Sequence, residues 1–155
     1  MKLISHSAVG APRIARRNLP LLLLQARESV IANFRPILNA HGLTEQQWRI
    51  LRVLLDVGPL EPREIVERCR ISSPSLAGVL ARMDRLGWVR RERWPDDARR
   101  IQVSLSDSGR ALAQRIAPMI EKTYRDIEAA IGPDLMAGFY AKLDEMIDVL
   151  AKMPR

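Results

Sequence analysis

The segment from Ile71 to Ser106 constrains the fold most, because it combines a helical pattern with two short strand patterns. Ser73 followed by Pro74 predicts a helix start, since proline at the first helical position loses no needed N–H and serine can cap. The apolar residues that follow recur at helical spacing: Leu76, Val79, Leu80, Met83 and Leu86. Gly87 predicts the end of this helix.

The second half of the segment predicts a β-hairpin with a basic loop. Residues 89–94 and 101–105 resemble strands, and Asp97 in the loop between them can pair with an arginine, leaving Arg99 or Arg100 free at the tip. Guanidinium groups suit phosphates and the electronegative minor groove. A solvated, purely structural hairpin is the alternative. The order helix, strand, basic loop, strand is typical of a winged helix-turn-helix that binds DNA.

A short helix precedes this segment and completes the helix-turn-helix. Pro62 predicts its start, and Ile65, Val66 and Cys69 lie on its inner side. Only residues 70–72 link it to the next helix, which is the spacing of a helix-turn-helix.

Five polar residues of the second of these helices are candidate DNA contacts. Ser72, Ser73 and Ser75 place short hydroxyls at its start, where they can bind bases and phosphates. Arg82 and Arg85 follow on its outer face. These residues could equally form ordinary polar surface, but the adjacent wing favours DNA contact.

Helical patterns also precede the winged segment. A helix is predicted from Leu19 to about Ala40, bent by Pro36 within it. Thr44 with Gln47 three residues later is a capping-box pattern, which predicts a helix over residues 45–57.

Further helices follow the wing. Asp107 is expected to cap a long helix that is broken or bent at Pro118. The last helix has an apolar stripe of Leu135, Phe139, Leu143, Met146, Ile147 and Leu150. We therefore predict a mainly α-helical fold with a small β-hairpin wing: a winged helix-turn-helix over residues 43–106, and dimerisation helices over 18–42 and 107–155. A monomer with these helices folded back is the alternative.

Composition and charge fit one nucleic-acid-binding domain. The chain of 155 residues is 47% apolar, so a single domain with a substantial core is expected over residues 18–155. The net charge of +7 favours a polyanionic partner, and the basic residues 1–17 are expected to form a flexible tail. The apolar run after Arg17 is too short for an export signal or a membrane span. One cysteine excludes an internal disulfide, and a cytoplasmic location without membrane contact is expected.

Enzymatic, metal-binding and cofactor-binding functions have no sequence support. His6 and His41 are isolated and lack the spacing of metal ligands. There is no nucleophile–base pattern and no phosphate-binding glycine loop, so no cofactor and no catalysis are predicted. Cys69 on an inner helix face fits a buried structural thiol, and an oxidant sensor would need an accessible thiolate.

Several segments of the chain carry a family resemblance. Arg82–Arg91 and Asp97–Ser106 carry the resemblance to a family, and Leu22–Glu28, Phe34–Ile37 and Leu43–Ile50 carry the resemblance to one subgroup within it. With these, residues 19–150 resemble the multiple antibiotic resistance regulator (MarR) family of bacterial transcription factors. Within the family the chain is most similar to regulators of homoprotocatechuate (hydroxyphenylacetate) degradation operons. It departs in its basic N-terminal extension and in Ser106, where threonine is common.

The resemblance implies a homodimer that binds a pseudo-palindromic operator in double-stranded DNA and represses a nearby operon, here one of aromatic-acid catabolism. A small phenolic acid is expected to release it from the DNA. The candidate ligand residues are Arg27 with Phe34 on the first helix and Arg52 with Trp48 on the next. A guanidinium beside an aromatic wall could bind an aryl carboxylate. Alternatively, both arginines form buried or interface ion pairs with residues such as Glu28 or Asp56. A protein-interaction winged helix and an oxidant sensor are the competing functions.

Overall fold

The computed structural model describes residues 14–154 and confirms a mainly helical fold with one two-stranded antiparallel hairpin. Its elements are α1 (Leu19–Ile31), α2 (Arg35–Ala40), α3 (Glu45–Val57), α4 (Pro62–Cys69), α5 (Ser73–Arg85), β1 (Val89–Trp94), β2 (Asp97–Leu105), α6 (Asp107–Ile131) and α7 (Pro133–Ala151). Residues 1–13 of the predicted tail, with His6, lie outside the described range, and residues 14–17 are exposed and belong to no helix or strand.

The hydrophobic core lies where α3 packs against α4, α5, α6 and the hairpin. Its fully buried side chains are Leu38, Ile50, Leu51, Leu54, Ile65, Met83, Val89, Val103 and Ile116. Each such side chain contributes about 1.5–3 kcal/mol relative to an exposed one. The core thus fixes both helices of the helix-turn-helix and the base of the wing.

The first helix ends earlier than its pattern predicts. α1 stops at Ile31, and Pro36 stands in the first turn of the separate helix α2, where its missing N–H leaves no hydrogen bond unmade. The side-chain amide of Asn33 donates to the carbonyl oxygens of Ser29 (2.8 Å) and Val30 (3.2 Å) at the end of α1. The prediction of one helix bent at Pro36 is therefore wrong, because the chain breaks before the proline.

Two helix starts lie one residue before the predicted caps. Ser72, rather than Ser73, is the N-cap of α5, and Ser106, rather than Asp107, is the N-cap of α6. The Oγ of Ser106 accepts from the N–H of Gly109 at 3.0 Å. Helix α6 continues through Pro118 without a break, since Ile116 and Ile120 on either side are held in the core.

The start of α6 packs directly on the backbone that follows α5. The Oγ of Ser108 donates to the carbonyl of Gly87 at 2.6 Å, and the Oγ of Ser106 donates to the same oxygen. A Cβ atom on Gly109 would lie 1.9 Å from the carbonyl oxygen of Trp88. Only glycine therefore fits at position 109, where α6 lies against the backbone that leads into β1.

The hairpin is longer and less regular than predicted. β1 and β2 pair in register from Val89–Leu105 to Arg93–Ile101, and Trp94 then pairs with Asp97. Residues 98–100 of β2 consequently have no partner on β1 and form a bulge beside the Pro95–Asp96 turn. Of the predicted loop, residues 95–100, residues 95–96 thus form the turn, Asp97 pairs with Trp94, and residues 98–100 form the bulge.

A third extended segment joins the hairpin at its other edge. Leu60, between α3 and α4, exchanges two backbone hydrogen bonds with Val103 of β2, at 3.0 and 2.7 Å. Both side chains are buried. The wing is therefore attached to the chain that enters the helix-turn-helix.

The two terminal helices contain no buried residue. Their exposed apolar side chains include Leu19, Leu21, Leu22 and Leu24 on α1, and Leu135, Phe139, Tyr140, Ile147, Val149 and Leu150 on α7. A surface of this kind is typical of a subunit interface. Across residues 14–154, no helix is both long and apolar enough to cross a membrane.

Candidate functional site

The outer face of α5 carries all five residues predicted to contact DNA from that helix. Ser72, Ser73, Ser75, Arg82 and Arg85 are exposed. The hydroxyl of Ser72 is partly committed to the helix start, since it accepts from the N–H of Ser75 at 3.4 Å and donates to the Ser75 Oγ at 2.9 Å. Neither arginine forms an ion pair with any residue between 14 and 154, so both guanidinium groups can bind an external anion.

Arg49 of α3 fixes the turn between the two helices of the helix-turn-helix. Its Nη1 donates to the carbonyl oxygens of Cys69 (2.5 Å) and Arg70 (3.5 Å) at the end of α4. These carbonyls have no partner within α4, and a cation at a helix C-terminus is favourable. Arg70 adopts a left-handed conformation with φ of 51°, which turns the chain into α5. Sequence reasoning missed Arg49, whose only signal is a cation within the apolar pattern of α3.

The base of the wing is held to α5 by an ion pair that the sequence pattern did not indicate. Arg91 of β1 donates to the Asp84 Oδ2 atom of α5 through both Nε (3.1 Å) and Nη2 (2.8 Å). This two-donor geometry fixes the angle as well as the distance between the groups. The wing and the helix therefore present one continuous surface.

At the wing tip the two candidate arginines have different environments. The carboxylate of Asp97 accepts the backbone N–H of Arg99 at 3.0 Å, rather than pairing with an arginine side chain as predicted. The Arg99 side chain is exposed and has no ionic partner among the residues described. Arg100 is paired with Glu61, at the start of α4, and is not free.

Tyr124 of α6 brings two of the predicted ligand residues together. Its ring lies 4.8 Å from that of Phe34, tilted by 54°, and its hydroxyl accepts from Arg52 Nη1 at 3.1 Å. Trp48, one helical turn before Arg52, is buried. Burial is the largest single influence on the pKa of Arg52 and lowers it, but the hydrogen bond with Tyr124 and the charges of Tyr124, Asp56 and Glu121 together raise it overall. Tyr124 was missed by sequence reasoning, although it continues the apolar spacing of α6 through Ile120.

Arg27 lies in a closed ring of ion pairs rather than beside these aromatic residues. It binds Glu28 and Glu45, each at 2.7 Å, and Arg35 binds the same two carboxylates at 2.6 and 2.9 Å. Burial raises the pKa of Glu45, yet the hydrogen bonds and the charges of Arg27 and Arg35 together lower it overall. The alternative anticipated for Arg27, an ion pair with Glu28, is present. Arg52 also has a carboxylate neighbour, Asp56, at 3.8 Å.

The environment of Cys69 does not favour a reactive thiol. The side chain is buried, and its Sγ donates to the carbonyl of Arg49 at 3.5 Å. Burial raises the pKa of the thiol, an effect that the Arg49 charge only partly offsets. Between residues 14 and 154, no group of three or more His, Cys, Asp or Glu side chains could hold a metal ion.

Comparisons with known proteins agree with a DNA-binding role for α5 and the wing. A MarR family profile matches residues 41–100. The chain is also 42% identical over 130 residues to the homoprotocatechuate degradative operon repressor of Escherichia coli, covering 84% of this chain and 88% of that protein. The chain belongs to the MarR family.

Solved structures agree with this assignment. The transcriptional regulator PA4135 has a TM-score of 0.82 at 40% identity, and the match covers 90% of this MarR-family chain and 100% of that one. NadR in complex with 4-hydroxyphenylacetate has a TM-score of 0.76 at 33% identity, covering 93% and 99% of the two chains. The predictions of a MarR-family regulator, of its fold and of its similarity to homoprotocatechuate operon regulators are confirmed.

Proposed function

We propose that this MarR-family chain is a dimeric repressor of an aromatic-acid catabolic operon, and that a small phenolic acid releases it from DNA. It acts in the cytoplasm by binding and not by catalysis. The observation that carries the proposal is Arg52, which reaches Tyr124 beside Phe34 in a chain similar to the homoprotocatechuate repressor and to NadR.

The DNA-binding surface consists of the outer face of α5 and the wing. Helix α5 enters the major groove with Ser72, Ser73 and Ser75 at its start, and Arg82 and Arg85 follow along it. Arg99 reaches the adjacent backbone or minor groove from the bulge of β2. These residues are exposed, and the net charge of +7 favours a polyanionic ligand.

Dimerisation through α1, α6 and α7 supplies the second reading helix. In the protomer, α1 and α7 bury no residue, and Leu135 and Phe139 are 65% and 46% exposed. Pairing two copies covers this apolar surface and presents two α5 helices to half-sites about one helical turn apart on a pseudo-palindrome.

The effector binds beside Arg52, with its ring against Phe34 and Trp48 and its carboxylate on the guanidinium. The hydroxyl of Tyr124 now occupies one of the guanidinium donors, and other donors remain for an anion. Arg27 joins this site only if an effector carboxylate displaces Glu28 or Glu45 from it. The effector lowers DNA occupancy only to the extent that it binds the DNA-free conformation of the protein more tightly than the DNA-bound conformation.

A fluorescence-anisotropy titration tests the function. A labelled duplex, selected from a random library by the wild-type chain, is titrated with protein in the presence of 4-hydroxyphenylacetate, or of acetate as the control without a ring. We expect a palindromic duplex to be selected, and only the aromatic acid to release it. Arg52→Ala should retain DNA affinity and need at least about tenfold more effector, since a charged hydrogen bond is lost. Arg125→Ala, a cation lost elsewhere, is the matched control. Selection of no common sequence would contradict DNA-binding regulation.

A further inference from the structure

Among the four arginines that are candidate DNA contacts, Arg100 alone forms an ion pair within residues 14–154. Its Nε lies 2.5 Å from Glu61 Oε1, its Nη2 donates to the same oxygen, and its guanidinium lies 5.2 Å from the centre of the Trp94 ring. We call Glu61, Trp94 and Arg100 the wing-base cluster. It joins residues from the start of α4, the end of β1 and the bulge of β2.

We propose that Arg100 is a positioning residue of the wing and does not bind DNA, and that Glu61 holds it in place so that Arg99 reaches the groove. The proposal rests on the proposed DNA-binding function. Glu61 follows Leu60, whose backbone pairs with Val103 of β2. This pairing holds the Glu61 backbone next to the wing.

The second argument is the bulge itself. Residues 98–100 lack partners on β1, and hydrogen bonds across the hairpin therefore do not define their conformation. Two side-chain contacts replace them: Asp97 accepts the Arg99 N–H, and Glu61 binds Arg100. Removing the second contact leaves Arg99 on a segment with one anchor instead of two.

A third argument comes from the charges. Of the exposed cations on the hairpin, Arg90, Arg93 and Arg99 form no ion pair within the described part of the chain, whereas Arg91 and Arg100 are each paired with a carboxylate. The Arg91 pair with Asp84 fixes the hairpin to α5, and the Arg100 pair with Glu61 fixes it to α4. The two pairs thus orient the wing from two helices.

Salt-dependent DNA binding separates positioning from contact. Each phosphate contact changes the slope of log affinity against log salt by about 0.9, so losing one contact in both wings of a dimer changes it by about 1.8. We expect Arg99→Ala to show this change with the selected duplex. Arg100→Ala and Glu61→Gln should each weaken binding about fivefold, the scale of an exposed ion pair in each wing, with the slope unchanged.

The charge-swapped double variant, Glu61→Arg with Arg100→Glu, provides the rescue. Affinity within about threefold of wild type is expected if the pair only positions the wing. The proposal is overturned if the swap binds as weakly as the single variants, or if Arg100→Ala lowers the slope as Arg99→Ala does.

Amide hydrogen exchange on the free protein tests the same cluster without DNA. Glu61→Gln should speed exchange of the Ile101 and Val103 amides several-fold and leave amides of α6 unchanged. Unchanged exchange in the hairpin would overturn the positioning role. If exchange became faster but the wild-type chain selected no duplex, the DNA-binding function would be contradicted. The role of the wing-base cluster in holding the wing would still be supported.

Discussion

Replacing Gly109 with alanine should destabilise the protein through one backbone contact. A Cβ atom there would lie 1.9 Å from the Trp88 carbonyl oxygen, against an ordinary contact of at least 3.4 Å, so α6 must move by about 1.5 Å. That oxygen also accepts the N–H of Ser106 at 3.1 Å, which prevents it from turning away freely. The same movement would loosen the packing of Leu112 and Ile116, which are buried on α6.

Overpacking of a core usually costs about 1–3 kcal/mol, and the backbone overlap at Gly109 puts this case at the upper end, about 3 kcal/mol. For a chain of this size, about 3 kcal/mol lowers Tm by about 6–12 °C. Gly78→Ala is the matched control, because nothing lies within 4 Å of its added Cβ in α5. It should gain about 0.5–1 kcal/mol from better helix propensity and raise Tm slightly.

The assay is thermal unfolding followed by far-ultraviolet circular dichroism at one fixed protomer concentration, since the proposed dimer would make Tm depend on concentration. The expected result is a change of opposite sign for the same substitution at the two glycines. If Gly109→Ala melted within about 2 °C of wild type, α6 could leave Trp88 without loss, and the argument from close approach would fail.

Three further outcomes follow from the protomer. Phe139→Asp, which places a charge on the exposed apolar face of α7, should shift sedimentation from dimer to monomer, and an unchanged dimer would place the interface elsewhere. Tyr124→Phe removes the hydroxyl that binds Arg52 and should alter effector affinity in calorimetry while operator affinity stays the same; equal effector affinity would separate this tyrosine from the site. The pKa of Glu45 is lowered from its ordinary value of 4.5, so its ion pairs stabilise the fold fully above about pH 4.5. This stabilisation is lost as the pH falls through the lowered pKa. Urea unfolding of Glu45→Gln should therefore lose less stability between neutral and acid pH than the wild type does, and parallel curves would refute the assignment.

Local sequence patterns were sufficient to predict most of the fold. The capping box of Thr44 and Gln47 marks the start of α3 in the structure as in the sequence, because both partners lie within four residues. Apolar spacing likewise located α5 and its buried residues Leu76, Leu80 and Met83. The end of α1 was misplaced, since it depends on an asparagine side chain that folds back on carbonyls, and no glycine marks it.

The candidate site was harder to predict from the sequence, because its decisive contacts join residues that are far apart along the chain. Glu61 and Arg100 are 39 positions apart, and Arg52 and Tyr124 are 72 apart, so no spacing rule relates them. The sequence identifies an arginine near the wing tip but not whether a carboxylate already binds it. For the same reason Arg27 looked available to a ligand, while the fold surrounds it with carboxylates.

The backbone pairing of Leu60 with Val103 has a mechanical consequence. It fixes the α3–α4 connection to the wing, while Trp48 and Arg52 lie earlier on the same helix α3. A displacement of α3 would therefore tilt the wing and the helix-turn-helix in the same movement. Groove and backbone contacts would then be lost together, and partly bound intermediates would be short-lived. We therefore expect release of DNA to be abrupt rather than graded.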